Sequence, residues 1–185
     1  MIPKIIHYCW YGGSNFSKEI ILCMQSWKKH CPDYEIKCWN EENSPMQTPW
    51  IKEAYKYQKF AFVADYMRFY ALYHEGGIYL DTDMLLIRPI NDFLNCKFFA
   101  GLQDAFSAGF GIIGSEKGII FNQICLKYYD SHSFNMVKPF IITNVVTSLL
   151  KEQGFVEKDE KQILKNGIIL YPSEIFYPIH YTQKF

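Results

Sequence analysis

The chain predicts an α/β fold, a Rossmann-like central sheet flanked by helices, and three observations lead to it. A β-rich run from Lys4 to Trp10 is followed by a helical stretch and a second β-rich run from Tyr34 to Trp39. That is the β-α-β opening of a sheet with parallel strands. A long apolar helix over Phe60 to His74 then feeds Gly76-Gly77 and a further strand. This strand meets Asp81-Thr82-Asp83, two carboxylates one residue apart, at the end of a strand, where α/β sheets hold their ligands.

Taken in order, Lys4 to Trp10 alternates and ends at Tyr11-Gly12-Gly13, a strand entering a loop. Ser17 or Ser14 can cap a helix over Lys18 to His30, with Ile21, Met24 and Trp27 as its apolar stripe, and Cys31-Pro32-Asp33 stops it. A polar loop from Asn40 to Pro49 follows the second strand, and Pro49 suits the first turn of a helix reaching about Lys56. In the helix Phe60 to His74, Val63, Ala64, Met67 and Ala71 share one face, and Gly76-Gly77 ends it. The acid-bearing strand is expected to resume through Met84-Leu85-Leu86-Ile87 until Arg88-Pro89 breaks it, so that the acids interrupt buried sheet. Strands are expected at Phe98 to Leu102, Gly109 to Ile113 and Ile168 to Tyr171, and helices at Ile119 to Tyr128 and Asn144 to Lys151. No repeat or linker divides this order, so residues 1–185 are read as a single domain.

Composition narrows the function. With 49% hydrophobic and 18% aromatic residues the chain has a globular core, and 19 basic residues balance 19 acidic ones with no basic cluster. Nucleic-acid binding is not expected, and partners should be small molecules or glycans. The six cysteines show neither C-x-x-C nor zinc-ligand spacing, and half of them sit in apolar runs, so a reducing cytoplasm is the simplest home; disulfides in a secreted chain are the alternative that the even count leaves open. No apolar stretch reaches a membrane span. The 14 Tyr and 15 Phe leave room for sugar-stacking faces or peripheral association with the inner face of a membrane, although core packing accounts for most of them.

Side chains two apart on a strand point the same way, so Asp81 and Asp83 can converge on one cation. Oxygen ligands of this kind suit Mn²⁺ or Mg²⁺, with substrate phosphates completing the shell. The plainer reading is a polar turn that ends a strand. One helix earlier, Asp65 and Arg68 are three apart, on a face shared with Ala61 and Leu72 and surrounded by apolar and aromatic neighbours. Such charges are semi-buried and need each other or a ligand. His7 reads as a satisfied core residue, and His30, His74 and His132 as helix-end residues. Asp104 and Ser107 are either acceptor contacts or turn formers.

The run Ala61-Phe62-Val63-Ala64-Asp65-Tyr66-Met67-Arg68-Phe69-Tyr70-Ala71-Leu72-Tyr73, continued by Gly76-Gly77-Ile78-Tyr79-Leu80-Asp81-Thr82-Asp83, resembles the glycosyltransferases with a sugar-binding DxD motif, specifically glycosyltransferase family 32. That family includes fungal mannosyltransferases and bacterial capsular polysaccharide transferases, with the glucosylating domains of clostridial toxins as relatives. Ile2 to Gly13, Ser26-Trp27, Pro32, Tyr34 and Trp39 extend the resemblance, which thins after Arg88. It implies a GT-A type nucleotide-diphospho-sugar transferase fold with a mixed sheet, a nucleotide-sugar donor, Mn²⁺ (or Mg²⁺), and a retaining transfer of hexose to a glycan or lipid-linked glycan acceptor in capsular or surface polysaccharide synthesis. UDP-hexose is preferred over GDP-mannose, because one stacking Trp suits uracil in the toxin relatives.

By the same resemblance Trp10 stacks on the base, Asp65 and Arg68 hold donor hydroxyls or diphosphate, and Tyr79 lines the donor pocket. Asp83 ligates the metal, and Asp81 contacts metal or ribose. Asp65, Arg68, Asp81 and Asp83 are therefore the expected catalytic set. Front-face displacement, without a covalent nucleophile, is the implied route. The family's C-terminal motif rich in His, Trp and Ser has no counterpart before Thr182-Gln183-Lys184-Phe185, where Ser173 and His180 are the nearest polar candidates. Two alternatives stand beside this reading: a truncated, non-catalytic sugar-nucleotide-binding domain, and a phosphatase of the haloacid-dehalogenase type. The phosphatase motif expects Thr or Val where Leu85 stands.

Overall fold

The computed structural model describes residues 1–178. Among the described residues seven strands form one mixed sheet, in the order β2-β1-β3-β5-β4-β7-β6. β1 (Ile5–Cys9) leads through α1 (Lys18–His30) to β2 (Glu35–Trp39), which pairs parallel to it. The chain then crosses by α2 (Pro49–Lys56) and α3 (Phe60–Glu75) to β3 (Gly77–Leu80), parallel to β1 on its other side. Antiparallel pairing follows: β4 (Phe98–Leu102) and β5 (Ala108–Ser115) form a hairpin, and β5 joins β3. After α4 (Ile120–Asp130) and α5 (Ile142–Glu152), the short β6 (Gln162–Ile163) pairs antiparallel with β7 (Ile168–Tyr171), which lies parallel to β4. A single helical turn, α6 (Ser173–Phe176), follows.

The strand alternation sorts side chains onto two faces. Tyr79, Phe98, Ala100 and Leu102 point into the larger core beneath α2 to α5, whereas Ile78, Leu80 and Phe99 join Ile6, Tyr8 and Trp27 beneath α1. Local signals place the helices as expected: the Ser17 hydroxyl accepts from Ile20 N at α1, Pro49 opens α2, and Gly76 (φ 70°) closes α3. Gly77 has φ 107°, and a Cβ there would stand 2.7 Å from Ile5 O and 3.0 Å from His7 Nε2. Only glycine lets β3 start so close to β1. His7 is buried, its Nε2 donating to Gly76 O (2.7 Å) and its Nδ1 accepting from Trp39 Nε1 (3.1 Å), which makes it the satisfied core residue expected.

Two expectations are corrected. The apolar run Met84 to Ile87 is not strand: β3 stops at Leu80, and Leu85 and Ile87 are 57% and 78% exposed. Asp81 and Asp83 therefore sit in a turn beyond the sheet, where Asp81 O accepts from Met84 N (3.0 Å). Only Leu86 of the run is buried; Trp27 Nε1 donates to Met84 O (2.7 Å) and Leu86 N to the Ser26 hydroxyl (2.9 Å), so α1 staples the segment. Helix α1 buries Cys23, Ser26 and Trp27, and Ile21 of the expected stripe is exposed. The six cysteines are free thiols. Among the described residues no helix is long and apolar enough to cross a membrane.

Candidate active site

β1 and β3 run parallel, with His7 in register with Tyr79, and their carboxyl ends lie side by side. The chain leaves β1 toward β2 on one side and returns to β3 on the other, the arrangement that opens a ligand crevice between such strands. Trp10 and Asp81, the first residues beyond the two strand ends, line one cavity of about 470 Å³ together with Tyr11, Phe60, Tyr79 and Asp83. A second cavity of about 490 Å³ is lined by Asp65, Gln103, Phe110, Thr143 and Tyr177 among others. Ala61, Arg68, Asp81 and Asp83 belong to both walls, so the charged groups form the ridge between two lobes. Each lobe has the size of a small-molecule site.

Arg68 is the hub of that ridge. It is 5% exposed, and Nη2 donates to Asp65 Oδ1 at 2.9 Å, while Nη1 donates to Phe110 O at 2.5 Å and Nε to Ala64 O at 3.3 Å. Both carboxylate oxygens of Asp81 lie 3.5 Å from the guanidinium, whose carbon sits 4.7 Å from the centre of the Tyr79 ring. The Tyr79 hydroxyl donates to Asp81 Oδ1 (3.0 Å), and Asp81 N donates to Gly111 O of β5 (2.8 Å). Three elements thus hold Asp81: α3, β3 and β5. Asp83 makes no ion pair and accepts no side-chain hydrogen bond among the described residues.

The electrostatics follow from three carboxylates facing one guanidinium. Burial, opposed by Arg68, pushes the Asp65 carboxyl up to about 7, and the Asp81 charge adds to the rise. Desolvation and then the Asp81 charge raise Asp83. Desolvation works against the charge on Arg68, but Asp81, Tyr79 and Asp65 outweigh it and keep the guanidinium protonated. Asp81 and Asp83, with surplus negative charge between them, fit a divalent cation that brings its own phosphate ligands. No cluster of three or more His, Cys, Asp or Glu able to hold an ion by protein groups alone occurs among the described residues.

The structure brings Trp10, Asp65, Arg68, Tyr79, Asp81 and Asp83 together at one cleft. Trp10 stays partly exposed, with Nε1 donating to Ser14 O (2.8 Å) and its ring 4.5 Å from Phe16. Other candidates do not reach the cleft. Asp104 Oδ1 accepts from Phe106 N, Ser107 N and the Ser107 hydroxyl, which makes it a turn former, and the neighbouring Gln103 lines the second lobe instead. Ser173 is tied to Asp159 through N (2.7 Å) and Oγ (2.5 Å). His180 lies outside the described residues. Sequence reasoning missed Tyr177, Thr143 and Glu41. The Glu41 carboxylate accepts from Gly12 N (2.7 Å) and the Tyr55 hydroxyl (2.9 Å), fixing the loop beside Trp10. Its position in a polar loop gave no signal of that contact.

Comparison with known proteins agrees with this geometry. Residues 17–99, which include the Asp65–Arg68 pair and the Asp81-Thr82-Asp83 turn, match the glycosyltransferase sugar-binding region containing a DXD motif. An uncharacterized glycosyltransferase of Acanthamoeba polyphaga mimivirus is 26% identical, across 100% of this chain and 76% of its own length. Inositol phosphoceramide mannosyltransferase 3 of Schizosaccharomyces pombe is 28% identical over 76% of the chain, and lactosylceramide 4-alpha-galactosyltransferase of Rattus norvegicus 21% over 75%. The chain spans about two fifths of the length of these last two, 40% and 38%. The solved structure of the PaToxG glycosyltransferase superposes with a TM-score of 0.61 at 20% identity, covering 83% of this chain and 69% of the other. The fold is that of the GT-A type glycosyltransferases.

Proposed function

We propose that this chain, which carries the glycosyltransferase sugar-binding region with its DXD motif, transfers a hexose from a nucleotide-sugar donor to a glycan or lipid-linked glycan, with retention of configuration. The observation that carries the reading is the ridge of Asp81, Asp83 and Arg68 between two lobes, one of which contains Trp10. A nucleoside base stacks on the Trp10 ring in the first lobe, the diphosphate lies against the ridge, and the hexose extends into the second. UDP-hexose is favoured over GDP-mannose for the single stacking ring. The relatives named for inositol phosphoceramide and lactosylceramide favour a lipid-linked acceptor, and capsular or surface polysaccharide synthesis rests on the family resemblance alone.

Asp81 and Asp83 would hold Mn²⁺ (or Mg²⁺), which would supply positive charge against the negative charge of the diphosphate leaving group. Arg68 adds a fixed positive charge to the same wall, and because Asp65, Asp81 and two carbonyls immobilise it, little reorganisation accompanies the reaction. Asp65, on the second lobe, steadies positive charge on the sugar ring. Tyr79 orients Asp81. Such interactions accelerate transfer because they strengthen as charge develops.

Thermal-shift measurements with UDP, UDP-glucose, UDP-galactose and GDP-mannose, with and without Mn²⁺, test the proposal on the wild type and Asp83→Ala. Stabilisation by one donor that needs Mn²⁺ and disappears in the variant is the expected result. Equal stabilisation of both proteins removes the metal assignment, and no response to any nucleotide removes the donor reading.

A further inference from the structure

The second lobe is closed on one side by a residue from the C-terminal part of the chain that the reading above does not use. Tyr177 follows α6 and lies across the β4–β5 hairpin in a slot made by three glycines. A Cβ on Gly101 would stand 2.8 Å from the Tyr177 ring, and one on Gly109 2.5 Å from it. A Cβ on Gly111 would stand 3.4 Å from the Tyr177 hydroxyl and 3.2 Å from Asp81 Oδ2. None of these glycines has the positive φ that requires glycine, so it is the close approach of the ring that excludes a side chain. The slot aims the phenol at the ridge.

The hydroxyl accepts a hydrogen bond from Ile112 N at 3.1 Å. Its own proton has no acceptor among the described residues, and Tyr177 is one of the residues that line the second lobe. Burial raises the Tyr177 phenol above its ordinary value, so it remains a neutral donor. The lobe it faces holds the acceptors Asp65 and Asp81, with the amide of Gln103 and the hydroxyl of Thr143. Carboxylate acceptors beside one fixed neutral donor form a set that recognises hydroxyl groups, which both give and take hydrogen bonds.

We infer that Tyr177 is a donor-sugar-binding residue, its hydroxyl proton directed to one hydroxyl oxygen of the hexose held in the second lobe. The inference rests on the donor reading and adds a contact to the sugar that no nucleotide alone can make. Loss of one neutral hydrogen bond should weaken sugar binding about threefold to tenfold.

Isothermal titration with Mn²⁺ compares UDP with UDP-glucose, or GDP with GDP-mannose if that donor gives the thermal shift, on wild type and Tyr177→Phe. The variant keeps the ring that fills the slot, and its melting temperature should stay close to wild type. The expected result is unchanged affinity for the nucleoside diphosphate and a threefold to tenfold loss for the nucleotide sugar. Gly109→Ala, which pushes against the ring, should show the same selective loss. Equal weakening of both ligands in Tyr177→Phe would assign the residue to packing and overturn the inference, as would no change in either. If the wild type binds neither ligand, the donor reading falls and this inference with it; if it binds both and the variant matches it, only this inference falls.

Discussion

Replacing Arg68 by Met tests whether the ridge is one electrostatic unit. Methionine approximates the aliphatic stem but removes the group that holds Asp65 at 2.9 Å, Phe110 O at 2.5 Å and both Asp81 oxygens at 3.5 Å. The side chains of Arg68 and Asp65 are 6% and 9% exposed, so water cannot replace the lost partner. Breaking one side of a buried pair costs about 3–5 kcal/mol. At about 2–4 °C per kcal/mol for a chain of this size, the melting temperature should fall by about 6–20 °C. Asp65→Asn relieves the stranded charge, so the double variant Asp65→Asn/Arg68→Met should lose at least about 1 kcal/mol less than the two single losses added. The loss should also depend on pH. Burial already makes the folded state hold the Asp65 proton more tightly than the unfolded chain, and without Arg68 that preference grows. Stability contributed this way is present below the ordinary carboxylate value and is lost as pH rises, so Arg68→Met should be weaker at pH 8 than at pH 5. Chemical denaturation of the four proteins at both values measures it. A loss below about 1 kcal/mol for Arg68→Met, strictly additive with Asp65→Asn, would refute the account of a coupled buried pair.

Three further outcomes follow from other parts of the frame. Trp10→Ala should leave the fold nearly unchanged, because the ring is partly exposed, yet weaken binding of the nucleoside diphosphate by about 1–3 kcal/mol in titration calorimetry. His7 is buried neutral and burial lowers it from 6.5, so the unfolded chain takes up a proton first as pH falls. Stability present above that value is therefore lost on acidification, and His7→Gln should flatten the melting temperature between about pH 7 and 5 relative to wild type. Gly77→Ala places a Cβ against Ile5 O at a φ of 107°, and equilibrium unfolding should show a loss of about 2–4 kcal/mol.

What the sequence disclosed depended on how local each signal was. The ends of α1, α2 and α3 are written in Ser17, Pro49 and Gly76, residues whose effect is exerted on their own turn. The Asp65–Arg68 pair was legible because its spacing fits one helix face and its neighbours are apolar. The two-residue spacing of Asp81 and Asp83 suggested convergence along a strand, whereas β3 ends at Leu80 and the acids are placed by contacts from β5 and α1. Met84 to Ile87 misled for the same reason. An apolar run says that burial is available, but Trp27 and Ser26, nearly sixty residues earlier, fold it into a stapled loop with one buried side chain. Tyr177 was hidden by distance: glycines at 101, 109 and 111 gave no hint that one ring unites them.

The unequal treatment of the two acids in the motif separates their roles. Asp81 is held by Arg68, by the Tyr79 hydroxyl and by the backbone of β5, so its position is set before any ligand arrives. Asp83 has no such partner among the described residues, and desolvation, followed by the Asp81 charge, raises it. A group whose charged form is disfavoured in the free protein is one that a bound cation stabilises most. Removing that charge should therefore not harm the ligand-free fold: Asp83→Asn should melt no lower than wild type without metal, because it removes a poorly solvated charge and with it the repulsion from Asp81. In Mn²⁺ with donor, the same variant should fail to gain the stabilisation that wild type shows. Asp81→Asn should behave differently, losing stability even without ligand, since it weakens the contacts of Arg68 and Tyr79. Equal loss of metal-free stability in both variants would mean that Asp83 supports the fold as Asp81 does, and the division between a fixed and a free carboxylate would be wrong.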